Sequence, residues 1–187
     1  MTALDVLLII VGIGLATWGA TQRTVKMLLA WLGLYLSAWL AGLIALLIAA
    51  FYDLAIRISA ALGATGTSVV NLQAIMFITF VVAFFIAYEQ ILCFSMEEPR
   101  ALLGPLDFVL GGILGLGLAI VILALLANFW GTITTTPWNN LALWQSARAA
   151  FTQSALWPHL RPVMDIYRKV LLIFEFTGYP PGLRLAN

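Results

Sequence analysis

Few side chains in this sequence of 187 residues could carry out chemistry, and they are scattered along it. The chain has one cysteine, Cys93, and one histidine, His159, too few for the usual metal-ligand sets or for a nucleophile activated by a base. No two carboxylates are spaced as a clear general acid and base. We therefore expect no catalytic residue, no metal site and no cofactor site, and a protein that is not an enzyme.

Three polar residues remain as candidate functional positions: Glu89, Arg100 and Asp107. Glu89 lies near the end of an apolar stretch, where a carboxylate held at the bilayer centre would cost roughly 2.5–3.5 kcal/mol. At a span end it can instead reach the headgroups or pair with Arg100. A proton or ion role, or a hydrogen bond to a neighbouring helix, are the alternatives for Glu89. Asp107 opens the last long apolar stretch.

The composition sets the environment of these residues. Hydrophobic residues make up 63% of the chain and charged residues 9%, and the mean hydropathy is +1.05, so most of the surface must face lipid. The net charge is only +1 and the basic residues are dispersed, which gives no electrostatic basis for binding nucleic acid. The lipid bilayer is therefore an expected partner.

Four apolar stretches are long enough to cross a membrane, and they determine where the polar residues lie. About 20 helical residues, at about 1.5 Å each, cross a hydrocarbon core of about 30 Å. The first stretch lacks the basic residues that precede a signal sequence, and we interpret it as a retained helix. We predict an all-α polytopic fold in which residues 1–131 form a four-transmembrane-helix bundle. The predicted spans are residues 3–20, 27–51, 69–91 and 108–129.

Residues 132–187 have a different pattern. Two segments, Asn139–Leu156 and Val163–Phe176, combine an apolar side with polar residues, and the second, with 14 residues, is too short to span. We predict that they are amphipathic helices at the membrane interface, followed by a tail rich in proline and glycine.

Small residues recur at every fourth position in three of the four predicted spans. Such a ridge carries almost no side chain, so a neighbouring backbone can approach closely. In lipid this packing replaces the hydrophobic force that joins helices in water. The predicted helix-packing residues are Gly12, Ala16 and Ala20 in the first span, Gly33, Ser37 and Ala41 in the second, and Gly111, Gly115 and Ala119 in the fourth.

The basic residues near the span ends suggest an orientation. Arg23, Lys26 and Arg100 flank the first and third connections, whereas Arg57 and Arg148 lie on the side of the termini. Because basic residues favour the cytoplasm, both termini are predicted to be extracytoplasmic.

Several short motifs follow one another along the chain. An acidic residue opens the first span, a basic turn precedes the second, and an acidic residue with spaced glycines opens the fourth. A Ser-x-Leu-x-Pro sequence lies beyond the spans. In order, the motifs are Leu4 and Asp5; Arg23 and Lys26; Asp107, Val109, Leu110, Gly111 and Gly115; and Ser154, Leu156 and Pro158. With the four-span topology, they resemble the colicin V production protein family of small bacterial membrane proteins.

This resemblance implies a protein of the bacterial inner membrane that supports toxin production or export, or maintenance of the cell envelope. The chain departs from the family pattern in two places. Thr24 stands where members usually have a glycine after the basic turn residue, and residues 117–120 lack the basic residue often found in the fourth span. The C-terminal helices also extend past the family's core pattern.

Two functions follow as hypotheses. The first is a non-enzymatic structural or accessory subunit of a larger membrane assembly, with other membrane protein subunits as partners, because smooth helix faces suit packing. The alternative is a small transporter or channel component in which Glu89 lines a path with Asn71, Gln73 and Asn128.

Overall fold

The computed structural model describes residues 2–48, 57–58, 60–61, 68–95, 106–135, 142–171, 183 and 185. These residues form six helices and contain no strand, which confirms the all-helical prediction. The helices are α1 (Ala3–Thr21), α2 (Thr24–Ile48), α3 (Ser68–Ser95), α4 (Leu106–Thr135), α5 (Ala142–Thr152) and α6 (Trp157–Val170).

Three of these helices are long and apolar enough to cross a bilayer, so the chain is a membrane protein. Their candidate spans are Thr24–Ile44 in α2, Gln73–Ile91 in α3 and Leu106–Thr134 in α4. Helix α1 is apolar over Ala3–Gly19 but shorter. The predicted count of four spans is therefore not confirmed.

The helix bounds differ from the predicted ones mainly at their ends. Helices α3 and α4 continue to Ser95 and Thr135, beyond the predicted ends at 91 and 129, whereas the predicted end of the second span at 51 lies outside the described residues. Helix α6 begins at Trp157, six residues before the predicted Val163. Pro158 lies in its first turn, where the missing N–H is not needed.

A capping box starts α1. The Thr2 N–H donates to Asp5 Oδ2 at 2.8 Å, and the Asp5 N–H donates to Thr2 Oγ1 at 3.3 Å. The helix ends at Thr21, where the extended Gln22 donates its N–H to the Gly19 carbonyl at 3.1 Å. Helix α2 begins directly afterwards, at Thr24, so the two helices are joined by a short turn.

Helix α4 is central and packs most closely on α1. A Cβ atom added to Gly115 would overlap the Gly19 Cα, so the two backbones are in direct contact. Further along, Gly12 faces Leu123, which shows that α1 and α4 run antiparallel. This glycine contact allows an approach that any larger residue would prevent.

Helix α2 runs parallel to α4. The Thr24 N–H donates to Asp107 Oδ1 at 3.1 Å, and Trp31 Nε1 donates to the Leu114 carbonyl at 3.0 Å, both across a sequence separation of 83 residues. Helix α3 packs mainly on α2, where the Tyr88 ring lies against Gly33, and it also contacts α4.

Helix α6 lies lengthwise against α4. Its buried stripe consists of Trp157, Leu160, Met164 and Tyr167, the three- and four-residue spacing of one helix face. At its start, the Leu156 N–H donates to Asp5 at one end of the bundle. Near its end, Tyr167 Oη donates at 3.3 Å to the carbonyl of Leu34, ten residues into α2. An in-plane position at the membrane interface is therefore not confirmed for α6.

The predicted small residues occupy several environments. Ser37, Ala41 and Ala119 are at most 2% exposed, and Ala16 is half-buried. Gly111 lies against the Gln22 carbonyl. The side chain of Ala20 lies outside those that the structure describes.

Candidate functional site

The Asp5 carboxylate is buried and accepts four hydrogen bonds. It is 0% exposed. Its Oδ1 accepts from Ser154 Oγ at 2.6 Å and from the Leu156 N–H at 3.3 Å. Its Oδ2 accepts from the N–H groups of Thr2 at 2.8 Å and Ala155 at 3.2 Å. We call these five residues the Asp5 junction.

The junction lies where two helices begin. Asp5 is in the first turn of α1, and the backbone donors Ala155 and Leu156 directly precede α6. Helix N-termini carry partial positive charge, so both helices favour a carboxylate at this point. Ser154 Oγ also accepts the Trp157 N–H at 3.2 Å, one of the N–H groups at the start of α6 that have no partner within the helix. The ionised carboxylate is therefore stabilised by hydrogen-bond donors and by the dipoles of the two helices.

The junction joins parts of the sequence that lie far apart. Asp5 and Ser154 are separated by 149 residues, yet they belong to two of the motifs that carry the family resemblance. Sequence analysis named both residues but not their contact, and it did not place Asp5 among the candidate polar residues. The signal that could have found it is chemical, since a carboxylate opening an apolar helix needs donors and Ser154 precedes a proline-initiated helix.

A second junction surrounds Asp107, which is 2% exposed in the first turn of α4. Its Oδ1 accepts the Thr24 N–H at the start of α2, and Thr24 Oγ1 donates to the Asp107 carbonyl at 3.0 Å. Asp107 therefore binds the N-terminus of α2 much as Asp5 binds that of α6. Thr24, the departure from the family's usual glycine, contributes its hydroxyl to this contact.

Glu89 borders a cavity of about 300 Å³ between α1, α2 and α3, which we call the Lys26 cavity. Glu89 lies two residues before the end of the candidate span Gln73–Ile91, near the span end as predicted, and α3 continues beyond it to Ser95. Its predicted partner Arg100 lies outside the described residues. The cavity is lined by Trp18, Gln22, Lys26, Met27, Glu89 and Gln90.

The polar residues of the alternative transport path lie apart. Gln73 and Glu89 are on the same helix, 16 residues and about 24 Å from each other. Asn128 is fully buried in α4, where its carbonyl accepts from Thr132 Oγ1 at 2.9 Å. The side chain of Asn71 lies outside those that the structure describes.

The outer face of α6 carries an ionic cluster. Asp165 accepts from Lys169 Nζ at 2.9 Å and from an Arg168 guanidinium nitrogen at 2.7 Å. The hydrogen bond from Lys169, together with the two positive charges, holds the pKa of Asp165 below its usual value. Burial raises the pKa of Tyr167 on the opposite face of the helix. Lys169 is exposed, whereas Asp165 and Arg168 are partly buried.

The two buried aspartates, Asp5 and Asp107, therefore join one helix to another. Both buried aspartates receive their hydrogen bonds from helix starts, and neither faces the Lys26 cavity. Within the described part of the chain, no group of three histidine, cysteine or acidic residues could hold a metal ion. Comparisons of the chain with protein families, with curated proteins and with solved structures found no match.

Proposed function

We propose that the protein is a non-enzymatic scaffold in the bacterial inner membrane, acting as an accessory subunit of a larger membrane assembly. In this proposal α1 is the fourth span. Its 19 residues reach about 28 Å, and it lies antiparallel along α4. The two C-terminal helices form a unit that begins at the membrane surface and is held against the bundle by the Asp5 junction.

The main support for the proposal is what the buried carboxylates Asp5 and Asp107 bind. In a transport or catalytic protein, such groups face a cavity or a substrate path. Here Asp5 and Asp107 are occupied by backbone N–H groups and hydroxyls of other helices. Each carboxylate fixes one helix start against another, which is the chemistry of a rigid support.

The resemblance to the colicin V production family supports the same role. Two of its motifs, the acidic residue at the start of the first helix and the Ser-x-Leu-x-Pro sequence, meet at the Asp5 junction. By this resemblance, the assembly would serve toxin production or export, or upkeep of the envelope, and its partners would be other membrane proteins. The termini would be extracytoplasmic.

Complementation tests this function against the alternative. A strain lacking the protein is supplied with the wild type, Asp5→Ala or Glu89→Gln, and the readouts are detergent sensitivity of the envelope and toxin secretion. A scaffold requires the junction, so Asp5→Ala should fail while Glu89→Gln, at equal abundance in membranes, should complement fully. Failure of Glu89→Gln with success of Asp5→Ala would reject the scaffold.

The specific observation that favours the alternative, a transporter or channel component, is the placement of Glu89 and Lys26 on one cavity. A carboxylate and an ammonium group bordering the same space could bind a polar solute. The same complementation experiment decides between the two functions, because a solute site needs the charge of Glu89.

A further inference from the structure

The Lys26 cavity lies at the end of the bundle where α1 finishes and α2 begins. Gln22 is the C-cap of α1, and Lys26 is the third residue of α2. Glu89 and Gln90 border it from α3. For helices that cross a bilayer, this is the height of the headgroups and the outermost hydrocarbon.

The lining offers both signs of charge on a partly apolar wall. Lys26 supplies an ammonium group and Glu89 a carboxylate, and Gln22 and Gln90 supply amides that can donate or accept. Trp18 is a residue typical of the membrane interface, with an apolar ring and a polar N–H. The volume of about 300 Å³ is at the small end of ligand sites, which commonly measure about 300–1,000 Å³.

Apolar surface continues from the cavity toward the membrane interior. On α3, Ile86 lies one turn inward of Gln90 and Val82 lies one turn further, and both are about half exposed. On α1, Gly14 lies one turn inward of Trp18, with nothing within 4 Å of its Cβ direction, and Ile10 follows at 63% exposed. A molecule with a polar head in the cavity would therefore have hydrocarbon-compatible surface below it.

We propose that the Lys26 cavity binds the headgroup of one phospholipid that carries both a phosphate and a primary ammonium, with its acyl chains along the apolar strips of α1 and α3. Lys26 and the amide N–H groups hold the phosphate, since charge-assisted hydrogen bonds are the strong ones. Glu89 accepts from the ammonium. This inference goes beyond the scaffold function and does not depend on which assembly the bundle supports.

Headgroup chemistry distinguishes this site from general lipid contact. Phosphatidylethanolamine carries the required ammonium with its N–H donors. Phosphatidylcholine has a quaternary nitrogen with no N–H, and phosphatidylglycerol has no cation. The proposal therefore predicts a preference for phosphatidylethanolamine over both lipids when their acyl chains are the same.

Native mass spectrometry of the full chain in mild detergent, with an equimolar mixture of the three lipids, measures this preference. We expect one retained phosphatidylethanolamine, and a loss of about tenfold or more in its retention in Lys26→Gln, as for loss of one charge-assisted hydrogen bond. Glu89→Gln should lower phosphatidylethanolamine retention relative to phosphatidylglycerol. The matched control is Lys169→Gln, which removes the same charge from an exposed side chain outside the cavity and should change nothing.

Thermal unfolding within a few degrees of the wild type establishes that each variant is folded, and Gln90→Ala provides a second, milder change in the same wall. Equal retention of the three lipids by the wild type would overturn the proposal. So would unchanged retention in Lys26→Gln and Gln90→Ala. Soluble glycerophosphoethanolamine in excess should not displace the lipid, and displacement at equal concentration would overturn the assignment to a lipid. None of these outcomes depends on complementation, so the scaffold function is judged separately.

Discussion

Replacing Asp5 by alanine removes one acceptor that serves four donors. These are Ser154 Oγ and the N–H groups of Thr2, Ala155 and Leu156, at 2.6–3.3 Å. A donor left buried without a partner costs about 1–3 kcal/mol. Because three of the four bonds are only partly buried, we take about 1 kcal/mol for each, which gives about 4 kcal/mol for the junction.

Three of the four bonds, about 3 kcal/mol, hold the start of α6 on α1, because the Thr2 bond lies within α1 itself. Their loss should appear first as undocking of the C-terminal helices. Each 1.4 kcal/mol is a tenfold change, and about 3 kcal/mol therefore raises the undocked population roughly a hundredfold. Limited trypsin digestion measures this population through cleavage at Arg168 or Lys169, which requires α6 to open. The protease must be dilute enough that reclosing outpaces cleavage.

Other variants at the junction show how much each hydrogen bond contributes to the free energy of docking. In Asp5→Asn, the NH₂ replaces one oxygen and confronts two donors whichever oxygen it replaces, although the Ser154 hydroxyl can turn to accept from it. We expect an intermediate loss of about 1–2 kcal/mol. Ser154→Ala removes one of the four bonds and also strands the Trp157 N–H. The double variant with Asp5→Ala should lose less than the sum of the single losses, because the two residues share a bond.

The control is Thr17→Val, since the Thr17 hydroxyl bonds only to the Ile13 carbonyl of its own helix and is exposed. Its cleavage rate should match the wild type. If Asp5→Ala accelerates cleavage no more than Thr17→Val does, the junction does not hold α6, and the argument from donor count is refuted.

Two further predictions concern other contacts of the bundle. Gly115→Ala places a methyl group against the Gly19 backbone and should lower stability in detergent by about 1–3 kcal/mol, measured as a fall in the unfolding midpoint, whereas Gly112→Ala meets nothing within 4 Å and should be neutral. Equal unfolding midpoints for the two variants would contradict the close backbone contact between Gly115 and Gly19. Tyr167→Phe removes the bond to the Leu34 carbonyl and should cost about 1 kcal/mol at neutral pH. Burial raises the pKa of Tyr167, so above about pH 10 the unfolded chain loses a proton that the folded chain keeps, and stability falls as pH rises. The variant should lose stability less steeply there than the wild type, and parallel curves would count against the burial of this hydroxyl.

The orientation is tested by labelling with an impermeant thiol reagent in a chain lacking Cys93. A cysteine placed at Thr2 should react in intact cells if the termini are extracytoplasmic, as the basic residues of the first connection predict. Reaction only after the cells are broken would reverse the orientation. A cysteine at Thr21, on the opposite side, serves as the matched control.

Local sequence patterns predicted the long apolar helices. Uninterrupted apolar stretches located α2, α3 and α4, because length and hydropathy decide what can cross lipid. The four-residue spacing of Gly111 and Gly115 indicated a smooth helix face, and that face lies against α1 in the structure. On α1, however, the contacting residue is Gly19, which spacing alone did not single out.

Contacts between distant residues were beyond the sequence. Periodicity assigns a face to a residue but not the helix opposite that face, so the bond from Ser154 to Asp5 had no local signal that specified it. The start of α6 was missed for a related reason. Pro162 lies within α6, although proline more often begins or ends a helix. The predicted start, Val163, is the residue directly after this proline.

The lengthwise position of α6 has a consequence for the surrounding lipid. Tyr167 meets α2 about 15 Å inward of Thr24, and the charges of Asp165, Arg168 and Lys169 lie within a turn of that height. In a bilayer of full thickness, acyl chains at this depth would surround the three charged side chains, at a large energetic penalty. In the proposed four-span arrangement, phospholipids beside α6 would therefore dip inward, so that water and polar heads meet the ions, while those beside the exposed Ile113 and Leu116 of α4 would need no such distortion. The membrane would thus be thinner beside α6 than beside α4.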